Sequence, residues 1–316
     1  MFTLFKKRDF SANFSDTITF FRTFGKNYFK NYFTINGIFL LILVVLIYFI
    51  SKIYMQVIFS SIGNPNKTPD FLMYYFSNNV FLIVGVGIFF VLLTVFLSLL
   101  NITYPIIYLQ LIEKKGDNNF TLNEIITAIK ENIGRLLLFF LGLIFIITPL
   151  IIIAFVILFL MCFILIGIPL ILIFFPTIMS WISLSYYEFI VKKIGFFEAL
   201  KNGFSLVKQQ FWTTIGTTFI MIVLVQIIQG FITMIPYIIG VVLMLVSTSN
   251  PEVSQNDKLS GISVFMAIIM VFSVLMSYIF NNFIIINQDL IYYSLREENE
   301  NVTTKSDIDL IGTESE

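Results

Sequence analysis

Histidine is missing from this sequence altogether, so the side chain that most often carries protons near neutral pH, and most often ligates metals, is not at hand. Cysteine occurs once, at Cys162; that excludes an intramolecular disulfide, and a lone thiol in an apolar run packs as a small hydrophobe. Charge is scarce too. Asp, Glu, Lys and Arg make up 12% of the residues, where a soluble domain carries about a quarter. Apolar types make up 58% and mean hydropathy is +0.93, so water is not the solvent for most of the chain. No glycine-rich phosphate loop follows a strand, and no nucleophile with its base or metal-ligand cluster can be assembled from spaced motifs. The expectation is therefore no enzyme, no cofactor, no metal site and no nucleic-acid partner.

What the chain has instead is long uncharged runs. Ile38 to Ile50 holds twelve Ile, Leu, Val or Phe residues in thirteen positions, enough for favourable insertion into a bilayer. The charge-free run from Leu136 to Tyr187 is 52 residues long, too long for one crossing of a hydrocarbon layer about 30 Å thick, and it divides near Gly167-Ile168-Pro169. These runs predict an all-α, polytopic bundle of six spans at about 36–52, 80–100, 136–160, 170–190, 211–234 and 262–286. Gly85 and Gly87 in the second span offer a place for close helix approach. Pro236 suggests that the fifth span ends before a short segment, about 235–247, lying on or dipping into the outer surface. The acidic stretch from Arg296, REENENVTTKSDIDLIGTESE, reads as a disordered tail over 296–316.

Basic residues test the parsing, because they played little part in choosing the spans. The N-terminal segment, the second and fourth connections and the stretch after span six carry 16 of the 19 Lys and Arg. Only Lys52, Lys67 and Lys258 are left for the other side. By the positive-inside rule both termini are cytoplasmic. Lys6, Lys7 and Arg8 could open a signal peptide, but the apolar run comes some thirty residues later and lacks a small-residue cleavage site, so the first span is expected to be retained.

Before each odd-numbered span lies a segment of helical apolar spacing with basic residues, at about 16–33, 121–134 and 195–210. Laid over one another at Gly37, Gly142 and Gly216 they suggest three repeats, each an interfacial amphipathic helix plus two spans, related by an axis along the membrane normal. In the first, Phe20, Phe21, Phe24, Tyr28 and Tyr32 share one arc and Arg22, Lys26 and Lys30 the opposite one. The second sets Leu122, Ile125, Ile126, Ile129 and Ile133 against Glu124, Lys130 and Glu131, with Arg135 following. The third sets Phe197, Leu200, Phe204 and Val207 against Lys201 and Lys208. Two readings stay open: Arg22, Lys26, Lys30, Lys130, Arg135, Lys201 and Lys208 face anionic lipid headgroups, or the helices simply pack on the cytoplasmic ends of the spans.

The stretch PTIMSWISLSYYEFIVKKIGFFEALKNGFSLVKQQFWTTIG, from Pro176 to Gly216, sets a proline-containing span, a basic turn, an Ala-Leu helix and Phe211-Trp212 in order. Over about 65 residues, Pro176 through Gly240, the chain resembles the membrane domain appended to some bacterial glycerophosphoryl diester phosphodiesterases and found alone in related multi-pass proteins. The resemblance implies a bacterial cytoplasmic-membrane protein. It does not imply phosphodiesterase activity, which in that family belongs to a soluble barrel with histidines.

No ionisable group falls at mid-depth of a span, which disfavours a proton-driven pump. Glu188 and Asp289 lie near span ends, and Lys192, one turn from Glu188, is its expected surface partner. The intramembrane polar candidates are amides, chiefly Asn101 near Pro105, with Gln226 and Gln229 inside span five. Amides in a bundle bond other helices or line a path. The residues thus support an accessory or scaffold protein acting on lipids or on a membrane-protein partner. The alternative is a permease or lipid-moving transporter for an apolar or neutral substrate.

Overall fold

The computed structural model describes residues 2–63, 68–163, 165–249 and 255–302, and among these every regular element is helical. The elements are α1 (Phe10–Gly63), α2 (Thr68–Lys115), α3 (Leu122–Gly142), a π-helical turn (Leu143–Ile147), α4 (Thr148–Cys162), α5 (Gly167–Val191), α6 (Phe196–Gln209), α7 (Phe211–Ser249) and α8 (Gln255–Glu300). Among the described residues six stretches are long and apolar enough to cross a membrane: Phe10–Ser51, Asn79–Lys115, Leu122–Cys162, Gly167–Val191, Phe211–Val242 and Gly261–Glu300. The chain is an all-α, multi-pass membrane protein. Lys67 and residues 303–316 lie outside what is described, as do the side chains of Lys52 and Lys258.

The helix ends have local causes. Asp9 caps α1 by accepting a hydrogen bond from Ala12 N at 2.7 Å. Thr121 and Glu124 form a capping box at the start of α3, with Thr121 N donating to Glu124 Oε2 at 2.7 Å. Between α3 and α4 the chain widens into the π turn because Pro149 has no N–H for the carbonyl four residues back. The backbone N–H of Thr148 reaches Leu143 O instead, and its hydroxyl donates to the same oxygen at 2.9 Å. The expected break in the long uncharged run falls at 163–166. There Gly167 is required: a Cβ on it would lie 2.4 Å from Cys162 N and 2.5 Å from Leu158 O.

Three boundaries differ from the sequence reading. The segments at 16–33 and 121–134 are not separate helices, since α1 runs unbroken through 33–36 and α3 continues through the π turn into α4. Only the third segment is its own helix, α6, cut from α7 at Gln210 (φ −127°, ψ 56°). Pro236 does not end span five, because α7 continues to Ser249 and residues 235–247 are a helical extension; a helix absorbs one missing hydrogen bond where other groups share the freed carbonyl. The boundary expected at 296 is not observed. α8 continues through Arg296 to Glu300, Glu297 is buried, and Asn301 closes the helix in the left-handed region (φ 47°) with its N–H on Glu297 O.

The chain divides into two compact units. The first comprises Met1–Phe33, Asn101–Leu224 and Asn282–Glu316, the second Thr34–Leu100 and Val225–Asn281. In the second unit the packing is apolar: Phe39 meets Phe96 edge-on at 4.9 Å, and Gly240 lies so close to the Phe265 ring that a Cβ would collide with it. About half of its described large apolar side chains are exposed, Phe81 at 96% being the extreme. Gly85 and Gly87 have nothing within 4 Å of a Cβ position among the described residues, so no described helix packs closely there.

Candidate functional site

Within the first unit the helices meet through polar side chains, and pairs of tyrosines spaced one helical turn apart organise them. Tyr28 and Tyr32 on α1 face Tyr104 and Tyr108 on α2, and all four are buried. Each hydroxyl has an acceptor: Tyr28 donates to Asn282 Oδ1 at 2.6 Å, Tyr32 to Asn101 Oδ1 at 2.8 Å, Tyr104 to Tyr28 O at 2.6 Å and Tyr108 to Asn27 Oδ1 at 3.0 Å. Buried phenols need such partners, because a donor stranded away from water costs about 1–3 kcal/mol. Pro105 stands four residues after Asn101 and cannot bond its carbonyl, so the helix is loosened where the amide gathers Tyr32 and Asn282 Nδ2, the latter at 3.4 Å.

A second tyrosine set joins α5 to α8. Tyr187 stacks on Tyr292 with ring centroids 4.0 Å apart, and Tyr186 shares a 2.6 Å hydrogen bond with Thr103 on α2. Glu188 is buried, not at the surface: Tyr292 donates to it at 2.8 Å, Asn202 of α6 at 3.2 Å, and Lys192 pairs with it at 3.0 Å. Ion pairs continue outward from Lys192 to Glu300, from Glu300 to Arg296 and from Arg296 to Glu113, which also accepts from Tyr293 at 2.7 Å. On α7, Thr218 meets Ser180 of α5 at 2.8 Å and accepts from Gln288 of α8 at 2.7 Å.

The N-terminal segment is part of this network. Arg8 has a fully buried side chain, pairs with Asp16 at 2.8 Å and donates to the carbonyls of Thr3, Leu4 and Lys6, while its own N–H donates to Ser294 Oγ at 2.8 Å. Burial pulls the Arg8 guanidinium below its usual pKa, and the hydrogen bond and charge of Asp16 oppose that shift. Residues 3–8 are thereby wrapped around their own arginine and fixed to the last turns of α8. In the sequence Arg8 counted only as one basic residue of a cluster.

The predicted site residues separate into three groups. Arg22, Lys26, Lys130, Lys201 and Lys208 are exposed, as is Lys30, and the first five make no ion pair among the described residues. Arg135 turns inward: it donates to Phe189 O at 2.7 Å and to Ile194 O, and its guanidinium lies 4.2 Å from the Phe189 ring centroid, so it caps the end of α5. Asn101 is buried at a junction, whereas Gln226 is exposed and Gln229 half-buried in the second unit. The arc of Phe20, Tyr28 and Tyr32 also faces protein, with Phe20 lying against Tyr28 and Tyr108.

Sequence reasoning missed the tyrosines, although Tyr28/Tyr32 and Tyr104/Tyr108 at one-turn spacing, and two Tyr-Tyr pairs at span ends, were there to be read. Several buried acceptors have no hydrogen-bond partner among the described residues: Asn13 Oδ1, Asn287 Oδ1, Gln288 Oε1 and Asp289 Oδ2. They gather along α8 and the first turns of α1. No family model matches the chain, and comparison with curated proteins and with solved structures gives no match.

Proposed function

We propose that this chain is an accessory or scaffold protein of the bacterial cytoplasmic membrane, multi-pass with both termini in the cytoplasm, acting on lipids or on a membrane partner. The observation that supports the reading is how its polar groups are distributed. Within the first unit Glu188, Arg296 and Glu113 are joined through Lys192 and Glu300, and Arg8 pairs separately with Asp16, while Asp289 keeps one oxygen without a partner among the described residues. The cations Arg22, Lys26, Lys130, Lys201 and Lys208, which make no ion pair among the described residues, point outward, toward whatever the protein meets. We assign no enzymatic step. Membership of the family of membrane domains associated with glycerophosphoryl diester phosphodiesterases is part of the same proposal, and the positive-inside distribution supports the cytoplasmic placement of the termini.

A transport reading is the second proposal, favoured by the unpartnered acceptors at Asn13, Asn287, Gln288 and Asp289. Buried polar groups inside a membrane bundle often mark a path. One experiment separates the two. The full chain is crosslinked in cells, purified gently and then reconstituted. A co-purifying membrane protein, lost when the outward lysines are replaced by Gln, is the expected result. The isolated chain without partner, together with solute or lipid flux above that of empty vesicles, would replace the scaffold with a transporter.

A further inference from the structure

From α6 we infer that the chain carries one membrane-reading helix, which lies on the bilayer surface and binds anionic phospholipid headgroups through a stripe of Phe197, Lys201, Phe204 and Lys208. The inference rests on the scaffold reading above and names what that scaffold touches. The four residues recur at intervals of four, three and four, which on a helix keeps them within about 60° of one another. All four are exposed, Phe197 at 69% and Phe204 at 55%, and neither lysine makes an ion pair among the described residues. Trp212, just past the break at Gln210, is 72% exposed.

This is not the amphipathic pattern expected from the sequence, which grouped Phe197 and Phe204 with Leu200 and Val207. Leu200 and Val207 are buried, together with Ala199, Gly203 and Leu206, and this inner face is fixed on α5. Gly203 touches Ser185 so closely that a Cβ would lie 2.1 Å from its Oγ and 2.6 Å from its N, and Trp181 Nε1 donates to Leu200 O at 2.9 Å. The helix therefore has two apolar faces, one consumed by protein and one left open with a lysine beside each phenylalanine. Two large exposed rings alternating with flexible cations suit the boundary between acyl chains and phosphates, where the ring sits below and the ammonium reaches up.

The position of α6 fits a surface helix. At its first turn Phe196 packs on Phe139, which also meets Phe189 of α5; at its last, Gln209 and Gln210 bond Asn299 and Glu298, one and two residues before Glu300, which pairs with Lys192. The helix thus reaches from α3 over α5 to α8, with Gly203 on Ser185 and Leu200 O on Trp181 between its ends. A helix about 21 Å long tied in this way runs across the bundle and not down it. The first basic segment is built differently. Arg22 is sixteen residues, about 24 Å, before Ile38 on one unbroken helix, well outside a headgroup layer some 5–8 Å deep if Ile38 begins the span.

The test uses the full chain in vesicles of phosphatidylglycerol with phosphatidylcholine, or of phosphatidylcholine alone. A nitroxide is placed at Phe197→Cys or Phe204→Cys, one at a time, in a Cys162→Ala background. Collisions with oxygen, which concentrates in acyl chains, should exceed those with a water-soluble nickel chelate at both positions. The inserted state should lose about fivefold in population per lysine in Lys201→Gln and Lys208→Gln, roughly twenty-five-fold together, since each cation near an anionic surface contributes about 1 kcal/mol. Arg22→Gln with Lys26→Gln should leave it unchanged, and melting temperatures of all variants check the fold. Dominant nickel access would put the stripe in water, and loss of access to both reagents would mean that a second copy or a protein partner covers it. Insertion indifferent to phosphatidylglycerol and to the lysines would be apolar contact without headgroup recognition. Any of these three overturns the inference, while the scaffold reading stands or falls separately on the crosslinking result.

Discussion

The two units share α1, α2, α7 and α8, yet they are built by different rules. In the first, directional bonds decide which helix meets which: a phenol finds an amide, a carboxylate three donors, an arginine three carbonyls. In the second, the buried polar groups among the described side chains are Asn36, Ser51 and Ser263, with no charge, and much of the remaining surface is aliphatic and aromatic. Lipid tails are as apolar as leucine, so the second unit gains little from hiding side chains and depends on close contact. The first gains specificity, because every misplaced helix would strand a polar group.

That contrast can be broken most forcefully at Arg8. Arg8→Met leaves Asp16 without its closest cation and three carbonyls without donors, and should destabilise by about 3–5 kcal/mol, read as a large fall in the thermal midpoint of the detergent-purified chain. No described residue of the second unit can produce an equal effect by loss of charge. A smaller difference is expected between glycines. Gly203→Ala must push α6 from Ser185 and should cost about 1–3 kcal/mol, whereas Gly85→Ala, with open space around it, should be neutral or stabilise by up to about 1 kcal/mol. Equal shifts would mean that the close contact on α5 is not what holds α6. The smallest test compares two amides. Asn101→Leu should cost about 0.6–2 kcal/mol and Gln226→Leu roughly nothing, and the reverse order, by the same melting assay, would deny the first unit its polar specification.

Apolar length was the most legible property of the sequence, because the hydrocarbon thickness sets it directly. It produced six spans, with the turn near Gly167 located by composition alone. Continuity was not legible. Thr34-Ile35-Asn36-Gly37 has the composition of a break and Pro236 the chemistry of one, yet α1 and α7 pass through both, since tertiary packing decides whether a weak local preference is obeyed. Of the candidate residues, Asn101 was found because an amide inside an apolar run is visible as such. Gln226 had the same signature and faces outward, so composition alone could not distinguish them. Arg135 was read by its charge, but its role depends on the carbonyls of Phe189 and Ile194, more than fifty residues further on. The tyrosines were read by their apolar bodies, and their hydroxyls decide where they sit.

The pairing of the first helix with the last has a consequence for biogenesis. Tyr28 waits for Asn282, Thr17 for Asn287 and the N–H of Arg8 for Ser294. A nascent chain emits α1 when none of these partners exists, so the opening helix must be held by the insertion machinery or by temporary neighbours until α8 has been made. Closure of the N-terminal clasp then reports that α8 has been made, and a ribosome stalled before α8 would leave an unclosed product for membrane proteases to recognise.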